Sequence, residues 1–359
     1  MDKSIMIYIF LTVFSVALIK TNDKTTLVEK DVLTKKNSFN LFFSFLSFLS
    51  LFFISAFRDG IGIDYTNYII NFEIIRDFGF KTRFEYGFWA LNRLISYFTY
   101  NYIWVFIFTS LIVIILLYTA ISQYSNDAKF TLLLYFCLGF YIMGFTLIRQ
   151  AIGMGIIMIS LKFIYERKLF QYLLLIILAS LFHISAIIFL PAYFICTKKI
   201  SLKLTAFYLF FSFIISSTLV FFTKFFFGYS TYYFDLLNVE SSNFPINKIF
   251  INVILMIFCM IKKDYIQEQF KYGRILINLQ IMATSLTIAM SNIAVADRFT
   301  LYYTVFQIFL IPCIFSSYVK NKYLGIVFKV ILFSVLLLLY IRTLNTSLYE
   351  PLPYRSLLF

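Results

Sequence analysis

Few residues in this chain are suited to chemistry, and they are sharply placed. Residues 57–68 read F-R-D-G-I-G-I-D-Y-T-N-Y and follow the almost uncharged apolar stretch 38–57. Arg58 offers a planar fork of donors that suits phosphate or carboxylate. Gly60 and Gly62 permit tight or left-handed backbone. Asp64 is an acceptor or a proton handler, while Tyr65 and Tyr68 present flat faces and hydroxyls. The mixture reads as the mouth of a site at a membrane surface, facing a charged, sugar-like or phosphate-like ligand.

Three further places interrupt apolar sequence. Arg149, followed by Gln150, lies in T-L-I-R-Q-A-I-G-M-G. A guanidinium at membrane depth costs at least about 2.5 kcal/mol, so it is paired, faces a cavity or anchors a helix end near the surface. His183 is the single histidine, in A-S-L-F-H-I-S-A-I, close to Ser180 and Ser185. A lone histidine among apolar residues is ordinarily a structural hydrogen-bonding group; catalysis or direct ligand contact is the competing reading. Asp297-Arg298 precedes F-T-L-Y-Y. The pair either neutralises itself at a helix end or, with Tyr302 on the next turn, contacts a diphosphate or sugar. Tyr354 and Arg355, in the tail Y-E-P-L-P-Y-R, carry less weight, because tails are usually exposed.

Other chemistries find no support in the sequence. Neither G-x-x-x-x-G-K-[ST] nor G-x-G-x-x-G occurs, so no nucleotide-phosphate cradle is expected. There is no D-x-D cluster for a divalent metal. One histidine with no cysteine nearby does not make a zinc set. Cys137, Cys196, Cys259 and Cys313 all fall in apolar segments without a C-x-x-C pair and read as small core residues. Neither cofactor nor metal is therefore expected. Arginines can serve in their place, since a lipid diphosphate is already an activated leaving group and guanidinium groups stabilise its developing charge.

The elements that must position these residues are membrane helices. The chain is 61% hydrophobic and only 13% charged, which places it among polytopic membrane proteins. Its net charge of +14 does not indicate nucleic acid, because the basic residues sit in short loops between apolar runs. Those runs are 4–19, 38–57, 101–121, 130–147, 150–165, 170–182, 184–196, 204–223, 247–261, 275–295, 299–319 and 324–341. The fold class expected is all-α, a polytopic integral membrane protein with about 12 transmembrane helices. Several of these are short or broken, notably between 150 and 196. Residues 4–19 read as a first span rather than a cleavable leader.

Lysines set the orientation. If the loop carrying Lys20, Lys24, Lys30, Lys35 and Lys36 is cytoplasmic, alternate loops on that face hold Lys198, Lys199, Lys203, Lys262 and Lys263. The other face carries Arg58, Arg149, His183 and Arg298. Two outer segments are long, about 58–86 and 224–246. Residues 84–98 are amphipathic, with Glu85, Asn92, Arg93 and Ser96 on one face and Phe84, Phe88, Leu91, Leu94, Ile95 and Phe98 on the other. They predict a helix lying in the outer interface. With neither an internal repeat nor a low-complexity linker, residues 1–359 read as one integral membrane domain.

Taken together, R58-D-G-I-G62-I-D64-Y65-T-N-Y68, E85-Y-G87-F88, L147-I-R149-Q150, F182-H183-I-S185-A and D297-R298-F-T-L-Y-Y303 resemble the EpsG family. These are Wzy-type polymerases of O-antigen, capsule and exopolysaccharide pathways, including those of lipopolysaccharide. The resemblance runs in the family's order from about residue 55 to 305. It implies a metal-independent membrane glycosyltransferase of the bacterial cytoplasmic (inner) membrane, with its active site on the extracytoplasmic face. Its substrates would be undecaprenyl-diphosphate-linked oligosaccharides, and a chain-length regulator and a flippase of the same pathway would be partners. Arg58, Arg149 and Arg298 are expected to hold diphosphate, with Gly62, Tyr65, Tyr68, Gln150 and Tyr302 nearby. Asp64, Glu85 and His183 are the candidate general bases. The rival readings are a flippase of the same lipid-linked glycan and a membrane acyltransferase that modifies it. A flippase predicts two related halves, and an acyltransferase an early catalytic histidine.

Overall fold

A computed structural model describes residues 3–20, 33–227, 246–291, 297–318, 322–345 and 349–358. They form helices throughout, apart from one isolated bridge between Arg58 and Ser356. In chain order the first nine are α1 (Lys3–Leu18), α2 (Leu33–Ala56), α3 (Tyr65–Phe78), α4 (Tyr86–Ser96), α5 (Ile103–Tyr124), α6 (Ala128–Cys137), α7 (Phe140–Thr146), α8 (Ile148–Tyr165) and α9 (Leu169–Phe182). A 3₁₀ turn at Ile184–Phe189 leads to α10 (Ala192–Ile195) and α11 (Leu202–Phe227). Then come α12 (Ile246–Ile261), α13 (Lys263–Gln269), α14 (Gly273–Ala289), α15 (Asp297–Thr304), α16 (Gln307–Tyr318) and α17 (Lys322–Leu344).

By length and composition α5 and α8 can each cross a bilayer, and α6–α7 and α15–α16 each can as a bent pair, at 49° and 44°. The first bend has an identifiable cause. Gly139 adopts φ 84° between α6 and α7, and a Cβ there would lie 2.9 Å from Thr343 Cγ2. The other apolar helices contribute stretches of 10–17 residues among the described residues. The chain is an all-helical membrane protein with two such spans among the described residues, or up to four.

Contacts divide the chain into two compact units. The first comprises residues 1–159, 177–184 and 321–359. Here α2 packs on α1 and α5, α6 on α1 and α17, and α3 on α4. The second comprises residues 160–176 and 185–320 and is arranged around α14. That helix is buried along almost its whole length. Most of its polar side chains are satisfied by neighbours, Ser285 Oγ being an exception. Gln280 donates to the carbonyl and side-chain oxygens of Asn252, both at 3.1 Å, and Gln307 donates to Asn252 Oδ1 at 2.8 Å. Tyr303 donates to the Ile188 carbonyl at 2.9 Å and so holds the 3₁₀ turn.

The long segment 58–86 contains a helix, since α3 occupies about half of it. Tyr65, Tyr68, Phe72 and Ile75 recur at helical spacing and are buried, and Gly79 in the left-handed region closes the helix at φ 69°. Within 84–98 a helix does form, but its inward face is mixed. Asn92 is buried beside Phe88 and Ile95 and donates to the Phe88 carbonyl at 2.7 Å, while Leu94 and Phe98 face outward. The segment expected at 224–246 lies almost wholly outside the described residues.

Candidate active site

Glu85 caps the start of α4 and is the centre of the site. One carboxylate oxygen accepts from Arg149 Nη1. The other accepts from His183 Nδ1 at 3.0 Å and from the Ile184 amide at 3.2 Å. Three stretches far apart in sequence therefore meet: the start of α4, the start of α8 and the end of α9. Gly87 permits the meeting, since a Cβ there would lie 2.7 Å from the Leu181 carbonyl oxygen. A glycine two residues after Glu85 thus lets α4 approach the end of α9 closely enough for Glu85 to reach His183.

The electrostatics follow from these contacts. Burial alone would raise the Glu85 carboxyl pKa. The His183 hydrogen bond and the Arg149 charge outweigh it and hold the group at about 2. Glu85 is thus an anion at every physiological pH and a weak proton acceptor. A carboxylate can only accept, so the proton of the shared bond lies on His183 Nδ1, and in a neutral imidazole the lone pair is then on Nε2. Arg149 rests over the Phe84 ring, 4.2 Å from its centroid. Its Nε is buried without a hydrogen-bond partner. The arrangement can orient an imidazole as a base and hold a guanidinium beside it.

Of the other expected residues, Tyr68 lies beside the cluster, its ring 5.7 Å from that of Phe84 and close to Arg149, and the rest fall elsewhere. Arg58 is 1% exposed and points inward, between the rings of Phe106 (4.8 Å) and Phe145 (5.0 Å). It donates to the backbone carbonyls of Ser55 and Phe145. Burial draws its pKa down to about 10, partly offset by surrounding tyrosines, so it stays charged. Gly62 adopts φ 99°, where a Cβ would lie 2.8 Å from the Phe145 carbonyl oxygen. Tyr65 stacks on Phe106 at 4.6 Å, and Tyr68 donates to the Thr146 carbonyl at 3.1 Å. Asp64 does not pair with Arg58; it accepts from Asn67 at 3.1 Å. The glycine-bent stretch is therefore a packed joint that holds α3 against the end of α7, because its arginine is consumed by backbone. Gln150 is buried at the start of α8. Arg298, exposed, and Tyr302, buried with its hydroxyl 3.1 Å from Ser185 Oγ, belong to the second unit.

Sequence reasoning missed two contributors. Phe84 carries the Arg149 guanidinium, and only its position beside Glu85 hinted at that. The tail 349–358 packs onto the Arg58 joint. The Asp59 amide donates to the Arg355 carbonyl at 3.0 Å, Leu357 to Phe57 at 2.8 Å, and Tyr354 Oη to Ile54 at 3.1 Å. The Pro351 carbonyl accepts from Tyr8 at 3.0 Å, and the Tyr349 carbonyl from Thr146 at 3.1 Å.

No curated protein and no solved structure matches this chain. A family model does: the one described as EpsG family matches residues 41–356, a span that takes in Arg58, the Glu85–Arg149–His183 cluster and most of the docked tail. The chain belongs to the EpsG family.

Proposed function

We propose that this protein is a polysaccharide polymerase of the bacterial cytoplasmic membrane, crossing the bilayer about twelve times. It transfers a growing glycan from an undecaprenyl-diphosphate carrier onto the terminal sugar of a new lipid-linked repeat unit, outside the cytoplasm. The observation that carries this reading is the Glu85–Arg149–His183 cluster in a chain of the EpsG family. His183 Nε2 takes the proton of the acceptor hydroxyl as that oxygen bonds to the anomeric carbon. The bond between that carbon and the diphosphate oxygen breaks, and the lipid diphosphate departs with the electron pair. Arg149 stabilises the departing charge through the donors that Glu85 leaves free. Glu85 touches neither substrate; it fixes the His183 tautomer, as an acidic residue does for an imidazole base. Arg298, which is exposed, is assigned to the donor or acceptor glycan, and the flippase and chain-length regulator of the pathway are its partners.

The test is deletion of the gene, followed by complementation with His183→Gln. Polymer replaced by single repeats at the cell surface, in both strains, is the expected result. Loss of all surface glycan would instead identify a flippase, and normal polymer from His183→Gln would remove the proposed base.

A further inference from the structure

Helices α11 and α12 each pack along α14 and scarcely against one another. A groove of about 470 Å³ lies between them, within the second unit. Its volume is in the range of small-molecule sites. Leu202, Ala206 and Leu209 form one wall, and Met256, Met260 and Ile261 form the other. Leu202 opens α11 and Ile261 closes α12, so both walls end at the same mouth. There Leu202 is 72% and Ile261 65% exposed. Methionine thioethers adapt to an irregular apolar occupant.

The mouth is basic. Lys198 and Lys199 immediately precede α11, Lys203 is its second residue, and Lys262 and Lys263 follow α12 directly. None of the five forms an ion pair with a carboxylate among the described residues. Two acidic residues follow in α13, Asp264 in its first turn and Glu268 near its end. An apolar slot opening onto ammonium groups that no carboxylate of the described residues neutralises, one of them (Lys262) resting 4.8 Å from the Tyr318 ring centroid, at the face to which the lysines assign the cytoplasm, matches one chemistry. We propose that this groove binds a single anionic glycerophospholipid of the cytoplasmic leaflet, with an acyl chain between α11 and α12 and the phosphate among Lys199, Lys203, Lys262 and Lys263. Each nearby lysine attracts an anionic headgroup, and the slot converts that diffuse attraction into a site.

Purified full-length protein in detergent tests this through its thermal midpoint, with dioleoyl-phosphatidylglycerol or dioleoyl-phosphatidylcholine added at equal mole fraction. Phosphatidylglycerol should raise the midpoint by at least about 2 °C, and phosphatidylcholine should not. The double variant Lys203→Gln/Lys262→Gln should abolish the difference, and Ala206→Trp, which fills the slot, should abolish it as well. Equal shifts with both lipids overturn the headgroup assignment. A phosphatidylglycerol shift that survives the lysine double variant overturns the site, whether or not Ala206→Trp folds.

Discussion

Two arginines that look alike in sequence are predicted to fail in different ways. Arg58 is enclosed and gives Nη1 and Nη2 to the Ser55 and Phe145 carbonyls, while its Nε, like that of Arg149, has no partner. Lysine cannot reproduce that fork, and each lost charged hydrogen bond costs about 1.5–3 kcal/mol. Arg58→Lys should therefore lower the thermal midpoint and the yield of folded protein, and any polymer deficit should scale with that yield. Arg149 makes one ion pair, to Glu85, that a lysine ammonium can also make, so Arg149→Lys should leave the midpoint near wild type while polymer is lost. A normal polymer ladder from Arg149→Lys would make it a mere anchor. Glu85→Gln removes the anion that fixes His183, and turnover should drop roughly 10²–10⁴-fold. Asp64→Asn, which disturbs only the bond from Asn67, should stay within a few-fold of wild type. The same carboxylate also predicts a pH effect. Its folded-state pKa of about 2 lies below the ordinary 4.5, so its contribution to stability is complete above 4.5 and is lost as pH falls towards 2. Across that window the midpoint of wild type should fall more steeply than that of Glu85→Gln; parallel curves would contradict the pairing.

At the scale of the elements, the site depends on how closely α4 and α9 approach. A Cβ at Gly87 would lie 2.7 Å from the Leu181 carbonyl, and backbone cannot swing aside as a side chain can. Gly87→Ala should separate Glu85 from His183 at a stability cost of about 1–3 kcal/mol. Turnover should fall towards that of Glu85→Gln although neither residue has changed; activity within two-fold of wild type, roughly 0.4 kcal/mol, would show that the approach is dispensable. Helices were largely legible in the sequence, since the apolar runs mark them and bilayer burial imposes one pattern on them all. Helix α3 was not, because Asn67, Glu73, Arg76 and Asp77 mask a buried stripe that recurs at helical spacing. The cluster was legible only in parts. Glu85, Arg149 and His183 each stand out as polar groups in apolar sequence, but partners 64 and 98 residues apart leave no local trace of their pairing. Arg58 misled for a related reason, as sequence shows a charge without showing which way it points.

The whole molecule invites a labelling experiment, because its four cysteines are all buried and give an impermeant thiol reagent little to react with. Asn101→Cys, in the exposed turn before α5, should label in intact cells with a permeabilised outer envelope. Glu268→Cys, near the end of α13, should label only after lysis. The reverse pattern would invert the orientation that the lysines set. A second prediction concerns the docked tail. Truncation after Leu344 removes the groups that meet Tyr8, Ile54, Phe57, Asp59 and Thr146, so the protein should insert but show a lowered midpoint and short or absent polymer. A truncated protein that polymerises normally would make the tail an ornament. The strap joins residues 300 positions apart, from Ile54 to Tyr354. Contacts of such separation form late, because the intervening chain must be in place before they close. During synthesis, then, the joint around Arg58 emerges early and stays open at one edge until the residues after Leu344 leave the ribosome. A ribosome that stalls anywhere before them releases a membrane-inserted product with an unfinished joint, whose exposed backbone and buried charge mark it for quality-control proteolysis before it can compete for lipid-linked sugar.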